Sequence, residues 1–100
     1  MRRGTTPEHT FTLPFDTSII ASVRIIYEQN DEEKIIKTKD DCTFAGDVIK
    51  VKLTQEDTLT FTCNSTIKIQ VRILTTDGEA ITSDIIKTFV YECIDNEVIT

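Results

Sequence analysis

The stretch from Thr66 to Leu74 constrains the fold more than any other part of the chain. It reads T-I-K-I-Q-V-R-I-L, so an apolar residue stands at every second position and a polar residue lies between. Successive side chains of a β-strand point to opposite faces, whereas apolar residues at this spacing scatter around a helix of 3.6 residues per turn. The segment is therefore predicted to be a β-strand with one buried face and one solvated face.

The same alternation recurs along the chain and is typical of an all-β protein. Further strands are predicted over residues 9–13, 19–28, 33–38, 42–44, 48–53, 58–63 and 79–94. The one helix-like signal is Thr54-Gln55-Glu56-Asp57, where Thr54 can cap a single turn. Asp77-Gly78 predicts a hairpin turn between two strands. The pattern favours an immunoglobulin-like Greek-key β-sandwich of seven or eight strands, with a small β-barrel as the alternative.

The chain of 100 residues is long enough for one domain with a single core. Residues 1–8 are polar and include Gly4 and Pro7, which predicts a flexible N-terminal arm that could order on a partner. Residues 9–100 are predicted to form a single β-sandwich domain. The residues expected to build its core are Phe11, Leu13, Val23, Ile25, Ile49, Val51, Leu53, Leu59, Phe61, Ile67, Ile69, Val71, Ile73 and Phe89.

The net charge of the chain limits the kinds of partner that it is expected to bind. Seventeen Asp and Glu against eleven Lys and Arg give a formal net charge of −6, which disfavours nucleic acid and anionic membranes as partners. No apolar run approaches the roughly 20 residues of a membrane span. The residues after Met1-Arg2-Arg3 are not an apolar stretch, so no signal peptide is predicted.

The three cysteines, Cys42, Cys63 and Cys93, are odd in number and widely spaced. This usage predicts reduced, mostly buried thiols in a reducing cytoplasm, although a bridge between Cys63 and Cys93 stays open. Structural zinc sites almost always contain a close pair of ligands such as C-x-x-C, and this chain has none. The sequence therefore predicts no metal and no cofactor.

No motif for catalysis is present. His9 is the only histidine, there is no nucleophile elbow, and the acidic runs stand in polar turns. A non-enzymatic protein is predicted. An enzyme would need a deep polar pocket containing His9 or a cysteine beside a carboxylate. A carbohydrate- or peptide-binding module is the alternative function, and a sugar site would need both Tyr27 and Tyr91 on the solvent side of a sheet.

The segment from Ser83 to Ile94 is unusual because both of its faces are apolar. One face would carry Ile85, Phe89, Tyr91 and Cys93, and the other Ile86, Val90 and Ile94. Either a bulge switches the register, or the strand is covered on both sides, or one face is buried by a partner or a second copy. Because Ile26 also interrupts a polar face, the candidate partner interface is Ile26, Ile86, Val90 and Ile94.

Three segments carry a resemblance to a known group. R-R-G-T-T-P-E-H-T-F-T-L-P-F-D, V-K-L-T-Q-E-D-T-L-T-F and Q-V-R-I-L-T-T-D-G-E-A-I-T-S-D-I resemble short phage and prophage proteins from tail or baseplate gene regions of Gram-positive bacteria. The residues that carry the likeness are Gly4, Pro7, Phe11, Pro14, Phe15, Leu53, Thr54, Gln55, Gly78 and Ser83.

The resemblance implies a structural or assembly role in the virion or in the bacterial host cytoplasm. The partners it implies are other phage structural proteins or further copies of the chain in a homo-oligomer. It implies no catalytic residue.

Overall fold

The computed structural model describes residues 1–100, which form eight β-strands, one short α-helix and two 3₁₀ turns. The strands are β1 Glu8–Thr12, β2 Ile20–Gln29, β3 Glu32–Thr38, β4 Cys42–Ala45, β5 Val48–Lys52, β6 Ser65–Thr75, β7 Ala80–Thr82 and β8 Ile86–Val90. The helix α1 spans Gln55–Leu59, and the 3₁₀ turns span Thr17–Ile19 and Lys39–Asp41. Six of the predicted strands lie within two residues of observed ones.

The strands form two antiparallel sheets that face each other. The smaller sheet has the order β1-β5-β4, and the larger has the order β3-β2-β6-β7, with β8 also paired to β6. The chain crosses between the sheets in the β1–β2, β3–β4 and β5–β6 connections. The predicted all-β sandwich is confirmed, and the barrel alternative is not realised because the two sheets are separate. The immunoglobulin-like arrangement stays a prediction.

The core lies between the sheets and is built from the alternate residues of β2, β5 and β6. Ile25 stands opposite Val71 and Tyr27 stands opposite Ile69, and all four side chains are buried. Ten of the predicted core residues are buried, while Phe11 and Leu13 are half-buried and pack against the core. Four further residues belong to the core and were not predicted from the sequence: Ile20, Tyr27, Ile35 and Val90.

The strand predicted over residues 58–63 is wrong. Thr54 caps a helix there instead, because its hydroxyl accepts a hydrogen bond from Asp57 N–H while the Asp57 carboxylate accepts one from Thr54 N–H. Leu59 lies in this helix and is only half-buried. Phe61 is nevertheless buried, since the turn after the helix directs it between the sheets.

The segment predicted as an arm lies along the end of the larger sheet. Arg2 forms a parallel bridge with Tyr91, and Arg3 N–H donates to the Tyr91 carbonyl at 3.1 Å. The Arg3 guanidinium also donates to the Leu59 carbonyl at 2.8 Å. Gly4 then turns the chain with a φ of +77°, a conformation that favours glycine. The flexibility of residues 1–8 stays a prediction.

All three cysteines are free, and each is half-buried. The alternative of a bridge between Cys63 and Cys93 is therefore not realised in this structure.

Gln29 is the largest buried polar side chain in the domain. Its amide nitrogen donates to the Thr62 carbonyl at 2.8 Å, and its amide oxygen accepts from Thr62 N–H at 2.6 Å. The side-chain amide thus pairs with the Thr62 backbone as a neighbouring strand would, and it holds the loop before β6 against β2. Gln55 makes the same pair of bonds with the backbone of Ile99, but at an exposed site.

We expect Gln29→Ala to lower the free energy of unfolding by about 1 to 3 kcal/mol, because it leaves part-buried backbone groups of Thr62 without partners. Gln55→Ala is the matched control and should change the free energy by about 0.5 kcal/mol or less, because water can replace the amide there. Urea unfolding followed by circular dichroism measures both. Equal losses in the two variants would contradict the role assigned to Gln29.

Candidate interaction surface

A β-bulge divides the last antiparallel partner of β6 into β7 and β8. Ile73 stands opposite Ile81, whereas Ile69 stands opposite Ile86, so one extra residue lies between the two ladders. At the bulge, the Ser83 hydroxyl oxygen accepts a hydrogen bond from Val71 N–H at 3.0 Å, and Ser83 N–H donates to the Val71 carbonyl at 2.9 Å. The register-switching bulge that the sequence allowed for Ser83 to Ile94 is thus confirmed.

The bulge decides which side of β8 faces the core. Thr88 stands opposite Ile67, which is buried, and Phe89 stands opposite Thr66, which is exposed. Phe89 is 40% exposed, so its assignment to the core is wrong. Val90 is fully buried, so its assignment to the partner interface is also wrong. Alternation separates the two rows of side chains but does not say which row points inward.

The other three predicted interface residues do not share one surface. Ile26 is half-buried on the outer face of the larger sheet. Ile86 belongs to the inward row of β8 but stands at its open end, where it lines a groove with His9 and Phe11. Ile94 lies beyond β8 in the C-terminal stretch and is 97% exposed.

The exposed apolar side chains are concentrated at one end of the chain. Seven of the ten large hydrophobic residues that are exposed fall between residues 85 and 99, namely Ile85, Ile86, Phe89, Tyr91, Ile94, Val98 and Ile99. Phe89 and Tyr91 contact each other edge to face, with ring centroids 5.0 Å apart, and the Arg2 guanidinium stands 5.7 Å from the Tyr91 ring centroid. We refer to Ile85, Phe89 and Tyr91 as the apolar row.

The outer face of the larger sheet continues this apolar character towards β3. Ile26 stands directly opposite Ile36 on one side and opposite Gln70 on the other. Ile26, Gln70 and Ile85 line one shallow depression, of about 50 Å³, together with Glu28 and Lys68. No element of the chain covers this face, which leaves Ile36 and Ile85 exposed. Exposed apolar patches of this kind are often sites that partner proteins bury.

The tyrosines divide between the core and the surface. Tyr27 is buried and Tyr91 is 51% exposed, so the two do not share the solvent side of a sheet. Tyr91 meets Phe89 at an interplanar angle of 63°, which does not make a flat aromatic platform. The geometry gives the carbohydrate-binding alternative little support.

His9 and the cysteines do not form a catalytic arrangement in this structure. His9 Nδ1 lies 2.8 Å from the Tyr27 hydroxyl, and no hydrogen bond joins His9 to a cysteine or a carboxylate. Its groove, of about 430 Å³, is open to solvent. Burial raises the pKa of the Cys42 thiol, and the nearby Asp41 raises it further, which disfavours the nucleophilic thiolate.

Asp57 forms the one well-shielded ion pair of the domain, with its carboxylate 2.8 Å from Lys37 Nζ. Burial alone would raise the pKa of Asp57. The hydrogen bond and charge of Lys37, together with Thr54 N–H, outweigh burial and lower that pKa. Because Lys37 belongs to β3 and Asp57 to α1, the pair ties the helix to the edge of the larger sheet.

Comparison with protein-family models, curated proteins and solved structures found no match. None of the helices has the length and apolar character needed to cross a membrane.

The stability of the domain should fall as the pH drops below about 6.5. Burial, and to a lesser degree the positive amino terminus, lowers the pKa of His9 below its ordinary value of 6.5. As the pH falls, the unfolded chain therefore takes up a proton at His9 before the folded chain does. The contribution of neutral His9 to the free energy of unfolding is fully present above pH 6.5 and is lost as the pH falls towards the pKa of His9 in the folded chain.

Urea unfolding at pH 7.5 and pH 5.5 tests this expectation. His9→Gln removes the titrating group and can keep a hydrogen bond to the Tyr27 hydroxyl, so the variant should lose less stability between the two pH values than the unmodified chain. An identical loss in both proteins would show that other groups cause the pH dependence.

Proposed function

We propose that this protein is a non-enzymatic structural or assembly subunit of a phage or prophage tail or baseplate, and that it acts by docking onto neighbouring proteins. The outer face of the larger sheet, with its apolar row, is the proposed docking surface. The observation that carries the proposal is the exposure of the apolar row, in which Ile85 is 54%, Phe89 40% and Tyr91 51% exposed. Burial of apolar area is the main source of affinity between stable subunits.

The rigidity of the sandwich supports this role. The apolar row lies on β8 and its extensions, and β8 is hydrogen-bonded to β6 in the middle of the larger sheet. A partner that binds this face would therefore meet a surface whose backbone is already ordered, which reduces the entropy cost of association.

The open sheet edges offer a second mode of contact. Strands β1 and β4 form the two edges of the smaller sheet, and each pairs only with β5. An extended segment of a neighbour could add to such an edge through main-chain hydrogen bonds. The likeness of three segments of the chain to phage tail and baseplate proteins supports the assignment to a virion, and the immunoglobulin-like arrangement belongs to the same proposal.

Particles purified from the source bacterium after prophage induction test the assignment to a phage. We expect mass spectrometry to detect the chain at a copy number comparable to that of other tail components, or in tail assembly intermediates. Its absence from both would overturn the proposed role.

Phe89→Glu tests the docking surface. The substitution places a charge in the apolar row without opening the core, so we expect the folded variant to complement a deletion strain poorly and to be depleted from particles by about tenfold or more, as expected for loss of an interfacial aromatic anchor. Lys50→Glu is the control, since Lys50 is exposed on β5 in the smaller sheet, away from the proposed docking surface. Circular dichroism confirms that both variants fold. Normal incorporation of Phe89→Glu, or equal depletion of both variants, would rule out the apolar row as the contact.

A further inference from the structure

Two arginines stand side by side in the middle of the proposed docking surface. Arg24 of β2 and Arg72 of β6 are direct cross-strand partners, and both are exposed on the outer face of the larger sheet. The flanking residues in the same row are Thr38 on β3 and Thr82 on β7. The row therefore reads Thr-Arg-Arg-Thr across four strands and contains no carboxylate.

Neither arginine has an acidic partner within the chain. The two ion pairs of the domain join Lys34 to Glu32 and Lys37 to Asp57. Asp41, in the turn after Thr38, accepts hydrogen bonds through its carboxylate from the Thr38 backbone and hydroxyl, and no hydrogen bond joins it to Arg24. Like charges directly opposite each other on a sheet destabilise the fold. Repulsion between the two guanidinium groups therefore destabilises the isolated domain, and a bound anion would neutralise it.

Basic and acidic residues are distributed differently between the strands and the connections. Eight of the eleven basic residues lie in strands, whereas only four of the seventeen acidic residues do. Although the net charge is −6, most of the basic residues lie in the strands, and most of the acidic residues lie in the turns and at the ends of the chain. Two rows along the same face, Glu28 stands opposite Lys68, which in turn stands opposite Lys87. The arginine pair has no such compensation.

Apolar groups border the pair on both sides. Ser22, Leu74 and Ala80 join the two arginines around a depression of about 170 Å³, and Leu74 is 43% exposed. On the other side lies the row that contains Ile36, Ile26 and Gln70. A ligand seated here would meet guanidinium groups and apolar side chains together.

We propose that Arg24 and Arg72 form a carboxylate-binding subsite for an acidic segment of a neighbouring protein, with an apolar side chain of the same segment seated on Leu74. This inference rests on the proposed docking role and names the chemistry of the partner. Guanidinium groups match carboxylates in a two-bond geometry that lysine does not reproduce. A nucleic acid fits less well, because two arginines neutralise few phosphates and the acidic turns repel a long polyanion.

Nuclear magnetic resonance of the ¹⁵N-labelled full chain tests the subsite. The probe is the synthetic peptide acetyl-Glu-Glu-Leu-Glu-Glu-amide, and the control peptide has glutamine at each glutamate position. We expect saturable shifts of the amides of Ser22, Arg24, Arg72 and Leu74 with the acidic peptide only. Arg72→Gln should weaken binding about fivefold, as expected for one exposed ion pair. Lys68→Gln is the matched control on the same strand and face, and should bind the peptide nearly as well as the unmodified chain.

Several outcomes would overturn the proposal. One is the absence of saturable shifts. Another is an equal loss of binding in Arg72→Gln and Lys68→Gln. Inorganic phosphate at the same concentration should produce smaller shifts, and equal shifts would show a general anion site. If the peptide does not bind but sedimentation detects a dimer that Arg72→Gln dissociates, the occupant is a second copy and the proposal is wrong.

Unfolding experiments separate binding from a structural role. Because Arg72→Gln removes a like-charge contact, its urea midpoint should equal or exceed that of the unmodified chain. A clear fall of the midpoint would assign the pair to stability and contradict the subsite. Failure of the subsite would leave the Phe89→Glu experiment unaffected, so the two proposals can fail independently.

Discussion

The pairing of β2 with β6 is the interaction on which the rest of the structure depends. These two long strands lie side by side in the middle of the larger sheet, and their inward side chains meet in register, with Val23 opposite Ile73 and Ile25 opposite Val71. Together they supply eight of the fourteen buried hydrophobic residues of the core. Every other strand either extends this sheet or packs over its inner face. The register of β2 and β6 therefore fixes the position of each candidate functional residue.

The two sides of this pair serve different purposes. The inner row is aliphatic and aromatic and holds the smaller sheet through the hydrophobic effect. The outer row carries Arg24 and Arg72, with Ile26 and Gln70 beside them, and no other part of the chain covers it. A solvated sheet face usually mixes charges of both signs, as the Glu28 and Lys68 row does here. The uncompensated arginine pair departs from that arrangement, which is why the partner is expected to be acidic.

Most of the fold could be predicted from the sequence because period-two alternation is a local signal. Thr66 to Leu74 and the runs around Ile25 and Ile49 alternate so regularly that their strands and buried faces follow directly. The sequence also shows the capping box at Thr54, but the alternation of Leu59 and Phe61 predicts a strand beyond it. The helix prevailed because its first turn satisfies backbone groups locally, and one turn afterwards still buries Phe61.

The contents of the interaction surface could not be predicted because they depend on register. In the segment after Ser83, both rows are apolar, so hydrophobicity alone cannot choose which row faces the core. The bulge makes the choice: the Ser83 hydroxyl takes the place of a backbone acceptor for Val71 N–H, and one extra residue then shifts every following side chain to the other face. Without that residue, the register of β7 would continue and Phe89 would point inward in place of Val90. The same uncertainty applies to Arg24 and Arg72, which lie far apart in sequence and become neighbours only through the register between β2 and β6. The extra residue at the bulge thus determines which side chains of β8 the domain buries and which it leaves exposed.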